Sequence, residues 1–225
     1  MLTLPASAIT DPTVAVTTLL AALSLSSASG LRAYLPLLAL ALGVTVDPSH
    51  PIALSAPFQQ FVKHVGWPWI IGVLVVLVVA EFAVDKLPLF DHISDAVHTV
   101  IRPASGAIVM AATSNPISER NIWVAAAIGA VLALGVHSVK ATTRPAVTAT
   151  TAGVGNPVVS FIEDAIAVAL SALALIAPFL AIALVVILAV SIGWIIWLAV
   201  HKFRQLRASV AENGRATIPL GGGRT

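Results

Sequence analysis

Long apolar segments make up most of the chain, and the first of them is longer than a single membrane crossing needs. It stays apolar from Thr13 to Val44, about 32 residues, whereas roughly 20 residues cross a bilayer. The pattern favours a span that is broken near its middle, since freed backbone groups are tolerated only beside protein or a water-filled cavity. One long tilted helix is the alternative. The interrupting residues are Ser24, Ser26, Ser27, Ser29, Gly30 and Arg32.

The later apolar segments predict three single spans and one longer region. The single spans run from Trp67 to Asp85, from Asp91 to Thr113 and from Ile122 to about Lys140. The region from Val158 to Lys202 has about 45 residues without a polar turn, which allows two spans hinged at Ala177-Pro178 or one kinked span. Two spans would place the C-terminal basic residues on the same side as those that end earlier spans, as the positive-inside rule requires. We therefore expect about six crossings with both termini in the cytoplasm.

The composition indicates a membrane protein and excludes several classes of site. Of the 225 residues, 58% are hydrophobic and 10% are charged, and the mean hydropathy is +0.99, values typical of a polytopic membrane protein. Nucleic-acid binding is rejected because the net charge is only +2 and the basic residues lie at the ends of apolar segments. The absence of cysteine excludes disulfides and thiolate metal sites. The fold class is therefore an all-α membrane helix bundle, expected in the inner membrane of a cell.

The segments outside the apolar runs suggest a simple organisation. Residues 1–12 are expected to form a cytoplasmic N-terminus, 13–204 the helix bundle and 205–225 a disordered cytoplasmic tail. The proline-rich stretch from Thr45 to Gly66 predicts a loop that contains a short interfacial helix in PFQQFVKHVGW. The stretch from Pro145 to Gly155 is rich in Thr, Ala and Gly and predicts a second loop.

The main candidate for a functional site lies between the second and third spans. Wound as a helix, Asp91, Asp95, His98 and Arg102 follow one another at i, i+4, i+7 and i+11 and therefore share one face. Glu81 and Asp85 are also four residues apart on the preceding helix, and the intervening turn is short. Ionisable groups inside a membrane domain are costly unless they pair or reach water, so their presence suggests a functional site.

Small residues on the fourth span predict a packing face, and a weak internal repeat is a further possibility. Ala125, Gly129 and Ala133 recur at four-residue spacing, which lets a neighbouring helix approach closely and makes a homo-oligomer plausible. The segments that begin at Ile71 and Ile128 align without gaps through their prolines. If the repeat is real, two helix hairpins run in parallel and the acids of one lie near the bases of the other.

Three polar motifs in order resemble an uncharacterised family. They are GLRAYLPLLALAL, EFAVDKLPLFDHISDAVHTVIRPASGA, and HSVKATTRP followed by GNPVVSFIED. Together they resemble a family of bacterial integral membrane proteins that is known as a domain of unknown function. The resemblance covers about Leu31 to Pro178 and implies a multi-pass membrane protein, but it implies no activity.

The candidate binding residues divide by chemistry. Glu81, Asp85, Asp91, Asp95 and His98 offer oxygen and imidazole ligands that suit Mg, Mn or Fe(II), or a proton relay. The bland alternative for Asp91 and Asp95 is a solvated helix start. His98 and His137 titrate near neutral pH if unperturbed, although structural hydrogen bonding is the commoner role of a helical histidine. Ser29 and Arg32 are further candidates at the break, and Arg102 is a candidate structural partner of Glu163 or Asp164. Lys140 and Arg144 could form an anion site, and ordinary positive-inside charge is the alternative.

Three functions are compatible with these residues. The first is a small transporter or channel for an ion or small polar solute, favoured by the broken span and the charged groups in helices. The second is a metal-dependent membrane enzyme acting on a lipid phosphate, since Asp91 and Asp95 can hold a diphosphate through Mg. The chain lacks a second paired-acid motif, so an enzyme is the weaker choice. The third is a non-catalytic assembly protein, in which the charges would be fully paired with one another.

Overall fold

The described part of the protein is a bundle of helices, as the sequence predicts. The structure is a computed structural model that describes residues 11–46, 52, 54–84 and 91–216. Residues 52, 54 and 55 precede a short helix in the predicted loop. Within these ranges the helices are α1 (Pro12–Ser29), α2 (Leu35–Val46), α3 (Ala56–Val65), α4 (Trp67–Val84), α5 (Asp91–Ala112), α6 (Pro116–Arg120), α7 (Ile122–Thr151), α8 (Asn156–Ile176) and α9 (Pro178–Ala216).

The first apolar segment is broken, which confirms the interrupted span and rules out one long helix. α1 ends at Ser29 and α2 begins at Leu35, with the break between them. α1 is the most enclosed of the long helices, with half of its length buried, and it packs against α5, α7 and α8. Its serines can be buried because their hydroxyls donate to carbonyls, as Ser24 does to Leu20 O and Ser26 does to Gly106 O. The break therefore lies within the protein interior.

Close backbone contact joins α5 to α7, the most extensive helix pair in the bundle. A Cβ atom on Gly106 would lie 2.5 Å from the Gly129 carbonyl oxygen and 2.6 Å from Ala133 Cβ. Ala125 and Ala133 are fully buried. The predicted small-residue face is thus confirmed as a packing face, and it is occupied by α5 of the same chain. Because α5 covers it, this face gives no support to a homo-oligomer.

Five of the described helices are long and apolar enough to cross a membrane, so the chain is a multi-pass membrane protein. They are α1, α4, α7, α8 and the stretch Pro178–Ile195 of α9. α2 and the Val97–Ala112 part of α5 are apolar but shorter. The break at Ala177, before Pro178, separates α8 from α9 and supports the hinge predicted there.

The predicted loop from Pro145 to Gly155 is wrong over most of its length. α7 continues through Pro145 and ends at Thr151. Threonine hydroxyls in this stretch donate back to carbonyls three or four residues earlier, as Thr148 does to Arg144 O and Thr151 does to Val147 O, so the helix satisfies them. The helix stops where Ala152 adopts a left-handed backbone with φ of 50°.

The short helix predicted before the second span is confirmed, and its start is fixed to the end of α5. Ser55 N donates to Ala112 O at 2.7 Å, and Ser55 Oγ donates to Ala111 O at 2.8 Å. α3 then begins at Ala56 and presents one apolar and one polar face. Gly66, with φ of 86°, turns the chain directly into α4.

The chain divides into two compact units, residues 1–185 and 186–225, so the division falls within α9. In the second unit the rings of Trp197 and His201 stack with centroids 5.3 Å apart. The helix continues to Ala216, through a stretch that the sequence predicts to be disordered.

Candidate functional site

Arg32 lies in the break of the first span and is paired with an acid from a distant helix. Its side chain is 1% exposed, and both Nε and Nη2 donate to Oδ1 of Asp164 on α8. The guanidinium carbon also lies 4.6 Å from the centre of the Phe82 ring, within the range of a cation–π contact. These contacts tie the break to α4 and α8 and offset part of the cost of burying the charge.

The Glu81 carboxylate accepts hydrogen bonds from backbone amides that have no helical partner at the break. Oε1 accepts a hydrogen bond from Ala33 N at 2.9 Å, and Oε2 accepts one from Tyr34 N at 3.3 Å. Both amides lie just before α2, where N–H groups have no partner within the helix. A carboxylate at this end also interacts favourably with the helix dipole. Glu81, 4% exposed, therefore acts as an N-terminal cap supplied by a neighbouring helix.

His98 extends the contacts of Glu81 to α5. Its Nε2 lies 3.7 Å from Oε1 of Glu81, and the side chain is 9% exposed. A protonated His98 would form an ion pair at this distance, whereas a neutral one would be a polar neighbour. The pair therefore provides a buried position where a proton can be held between two helices.

Arg102 and His137 form the contact between α5 and α7. Arg102 is fully buried, and its Nη1 lies 2.7 Å from Nδ1 of His137. A guanidinium only donates, so Nδ1 must accept and the imidazole proton must lie on Nε2. Nε2 lies 3.2 Å from the Thr99 hydroxyl, which can accept that proton. The geometry therefore specifies a neutral His137.

Two bases on α7 pair with an acid on α8. Lys140 Nζ lies 2.9 Å from Oε2 of Glu163, and Arg144 Nη2 lies 3.5 Å from the same atom. Lys140 also donates to Leu31 O at the break, at 3.4 Å. Lys140 is 3% exposed and Glu163 is 8% exposed. The two bases are therefore partners of a buried acid.

Most of the predicted site residues converge on the break of the first span. Ser29 is buried, and its Oγ lies 3.3 Å from Ser105 Oγ. We use the term charge cluster for nine residues of this region: Arg32, Glu81, His98, Arg102, His137, Lys140, Arg144, Glu163 and Asp164. The structure corrects the predicted pairing of Arg102 with Glu163 or Asp164. Among the described contacts Arg102 binds His137, whereas Glu163 binds Lys140 and Arg144 and Asp164 binds Arg32.

The predicted metal site is only partly within the described residues. Asp85 lies outside them, and for Asp91 and Asp95 the structure describes the backbone of α5 alone. Among the side chains that are described, no group of three or more Asp, Glu or His is placed to hold a metal ion. Both oxygens of Glu81 are engaged by backbone amides. The described residues therefore do not form a metal site, and the acids at the start of α5 stay a prediction.

Comparison with known families agrees with this description. A family model described as "Domain of unknown function (DUF4126)" matches residues 19–198. The chain belongs to this family. The match includes the break, the charge cluster and the first part of α9, so these features lie within the family domain. No curated protein and no solved structure matches the chain. Membership in DUF4126 therefore supports the sequence resemblance and leaves the activity to be argued from the residues.

Three contributors to the site were missed by the sequence reasoning. Ser105 follows Arg102 by three residues and continues the same helical face, so the stripe spacing alone would have found it. It donates to Ala33 O. Phe82 and Thr99 carried no comparable signal, because an aromatic or a threonine in an apolar helix is usually a packing residue.

Proposed function

We propose that this protein is a small membrane transporter or channel for an ion or small polar solute, and that the charge cluster is its binding or proton-coupling site. The observation that carries the proposal is the broken first span, whose freed amides at Ala33 and Tyr34 bind the Glu81 carboxylate. Discontinuous helices with charged partners near the bilayer midplane are a recurring form of solute site in transporters.

The chemistry of the charge cluster supports such a role. It joins the break of the first span to α4, α5, α7 and α8 through ionisable groups, and a charged solute can exchange with the partners in these pairs. An anion would compete with Asp164 for Arg32, and a cation would compete with the backbone amides for Glu81. Protonation of His98 or Glu81 changes the charge at the break, which supplies a means of coupling solute movement to protons.

A second candidate is a non-catalytic membrane assembly protein. The observation that favours it is the extent of pairing, because Arg32, Lys140 and Arg144 all contact acids. Buried pairs of this kind can serve packing alone. A metal-dependent enzyme acting on a lipid phosphate would depend on Asp91 and Asp95, and nothing in the described side chains favours it.

The two candidates are separated by flux measurements in proteoliposomes. Purified wild type, Glu81→Gln, Asp95→Asn and Arg102→Gln would be reconstituted, and ion or pH gradients imposed while internal pH and ion content are recorded. Val76→Ala is the matched control, since Val76 lies on α4 with Glu81 but is 67% exposed on the outer face. We expect flux in wild type and control and a reduced flux in Glu81→Gln and Arg102→Gln.

Size-exclusion profiles would verify that each variant is folded. Absence of flux in wild type under every gradient would contradict transport, and equal flux in all variants would remove the charge cluster from it. Absence of flux together with lowered melting temperatures at the cluster variants would favour the assembly protein. We also propose that the protein resides in an inner membrane with both termini in the cytoplasm, which cysteine labelling of single-cysteine variants at each terminus would test.

A further inference from the structure

A separate apolar groove lies away from the charge cluster. It has a volume of about 360 Å³ and is formed by α2, α3, α4 and α5. Every residue that lines it is aliphatic or aromatic, including Leu37, Leu40, Phe58, Trp67 and Ile108. A groove with these walls offers few groups that could orient a polar solute, since indole N–H groups are the only polar side-chain atoms in its lining. It suits a hydrocarbon chain.

One wall of the groove is the apolar face of α3. Phe58, Phe61, Val62 and Val65 all line it and follow one another at i, i+3, i+4 and i+7, the spacing of a single helical face. The opposite face of α3 carries Lys63 and His64 in its last turn, both exposed. α3 contains no acidic residue. The helix thus separates the apolar wall of the groove from a basic polar face that is exposed.

The groove opens toward lipid. α4 contributes its first two turns, from Trp67 to Leu74, as the second wall, and the same helix exposes Val73, Val76 and Val79. Exposed aliphatic residues on a spanning helix are its lipid-facing surface. Trp67 and Trp69 are typical of the level at which headgroups meet hydrocarbon. The tryptophans therefore favour a groove that begins near the headgroup level, beside the exposed apolar surface of α4.

We propose that this groove binds one anionic phospholipid, with an acyl chain between α2, α3, α4 and α5 and with the phosphate beside Lys63 and His64. Charge complementarity selects the headgroup, because an interfacial amphipathic helix with basic residues on its polar face binds anionic lipids preferentially. The apolar walls hold the chain of any phospholipid, so preference for the anionic headgroup rests on Lys63.

Native mass spectrometry of the full-length protein tests this, with phosphatidylglycerol and phosphatidylcholine of equal chain length added in turn. We expect one retained phosphatidylglycerol, preferred by about five-fold. Lys63→Gln should remove this preference. Arg120→Gln is the matched control, since α6 lies beside the same end of α5 as α3 and Arg120 does not line the groove. It should keep the preference.

A second pair of variants tests the groove itself. Val73→Trp adds bulk at a lining position that is 55% exposed, whereas Val76→Trp adds it on the same helix outside the lining. We expect the first variant to reduce retention of both lipids and the second to leave it unchanged. Equal retention of the two lipids by wild type, no retained lipid, or identical behaviour of the two tryptophan variants would overturn the proposal. A dimer that Val73→Trp dissociates would also overturn it, because a second copy would then fill the groove.

Discussion

Replacing Gly129 by alanine should disrupt the contact between α5 and α7. A Cβ atom at this position would overlap the Gly106 carbonyl oxygen and lie 2.7 Å from Met110 Cβ. The obstructing atom is backbone, so relief requires the two helices to separate. Because this is the most extensive helix pair of the bundle, separation would loosen the packing that holds Arg102 against His137.

The magnitude follows from overpacking and helix propensity. Forcing a methyl group into a well-packed interior costs about 1–3 kcal/mol, and we expect the upper end because the clash is with backbone. The gain in helix propensity from glycine to alanine returns about 1 kcal/mol. A net loss of about 2 kcal/mol in a chain of this size corresponds to a fall of roughly 4–8 °C in melting temperature.

Gly135→Ala is the matched control because it lies on the same helix, with open space where the new Cβ atom would lie. Thermal unfolding of both variants in detergent, followed by circular dichroism, gives the comparison. We expect Gly129→Ala to melt several degrees below wild type and Gly135→Ala to melt at or above it. Equal melting temperatures of the two variants would refute the close approach of α5 and α7 at Gly129.

Three further outcomes follow from the buried polar contacts. Arg32→Lys should lower the unfolding free energy by about 3 kcal/mol, as for a buried pair that loses its geometry, and an additive double mutant with Asp164→Asn would contradict the pairing. Asn115→Ala should lower the melting temperature more than Asn121→Ala. Both residues cap helices, but only Asn115 is buried and also donates to three acceptors. An equal loss in the two variants would contradict this. Nitrogen NMR of labelled His137 at neutral pH should show a proton on Nε2 alone, and protonated Nδ1 would reject its acceptor role.

The helices and the broken span could be predicted because hydrophobicity acts locally. An apolar run longer than one crossing, interrupted by serines and Arg32, already favoured a break, with one long tilted helix as the alternative. The continuation of α7 through Pro145 was missed because the proline and the glycines nearby predict a loop from local sequence alone. In the structure, threonine hydroxyls of this stretch donate to carbonyls of the preceding turn and the helix continues. The hinge before Pro178 was one of two alternatives for the last apolar region, and the positive-inside rule favoured it because of the C-terminal basic residues.

The partners within the charge cluster were less accessible to sequence reasoning. Spacing placed His98 and Arg102 on one face, but it gave no information about which helix faces them. The cap on α2 could not be predicted either, because Glu81 binds backbone amides, which every residue except proline has. Charge alone suggested that Arg102 would bind Glu163 or Asp164, whereas packing of α5 against α7 brings it to His137.

The central position of α1 has a consequence for biosynthesis. Its buried hydroxyls and the adjacent Arg32 are synthesised well before Asp164, the partner of that arginine, which follows 132 residues later. Until α8 is synthesised and inserted, the cationic side chain of Arg32 must stay either at the headgroup level or within the insertion machinery. The burial of Arg32 is therefore completed only when α8 packs against α1, and truncated chains that stop before α8 should be preferred substrates of membrane quality control.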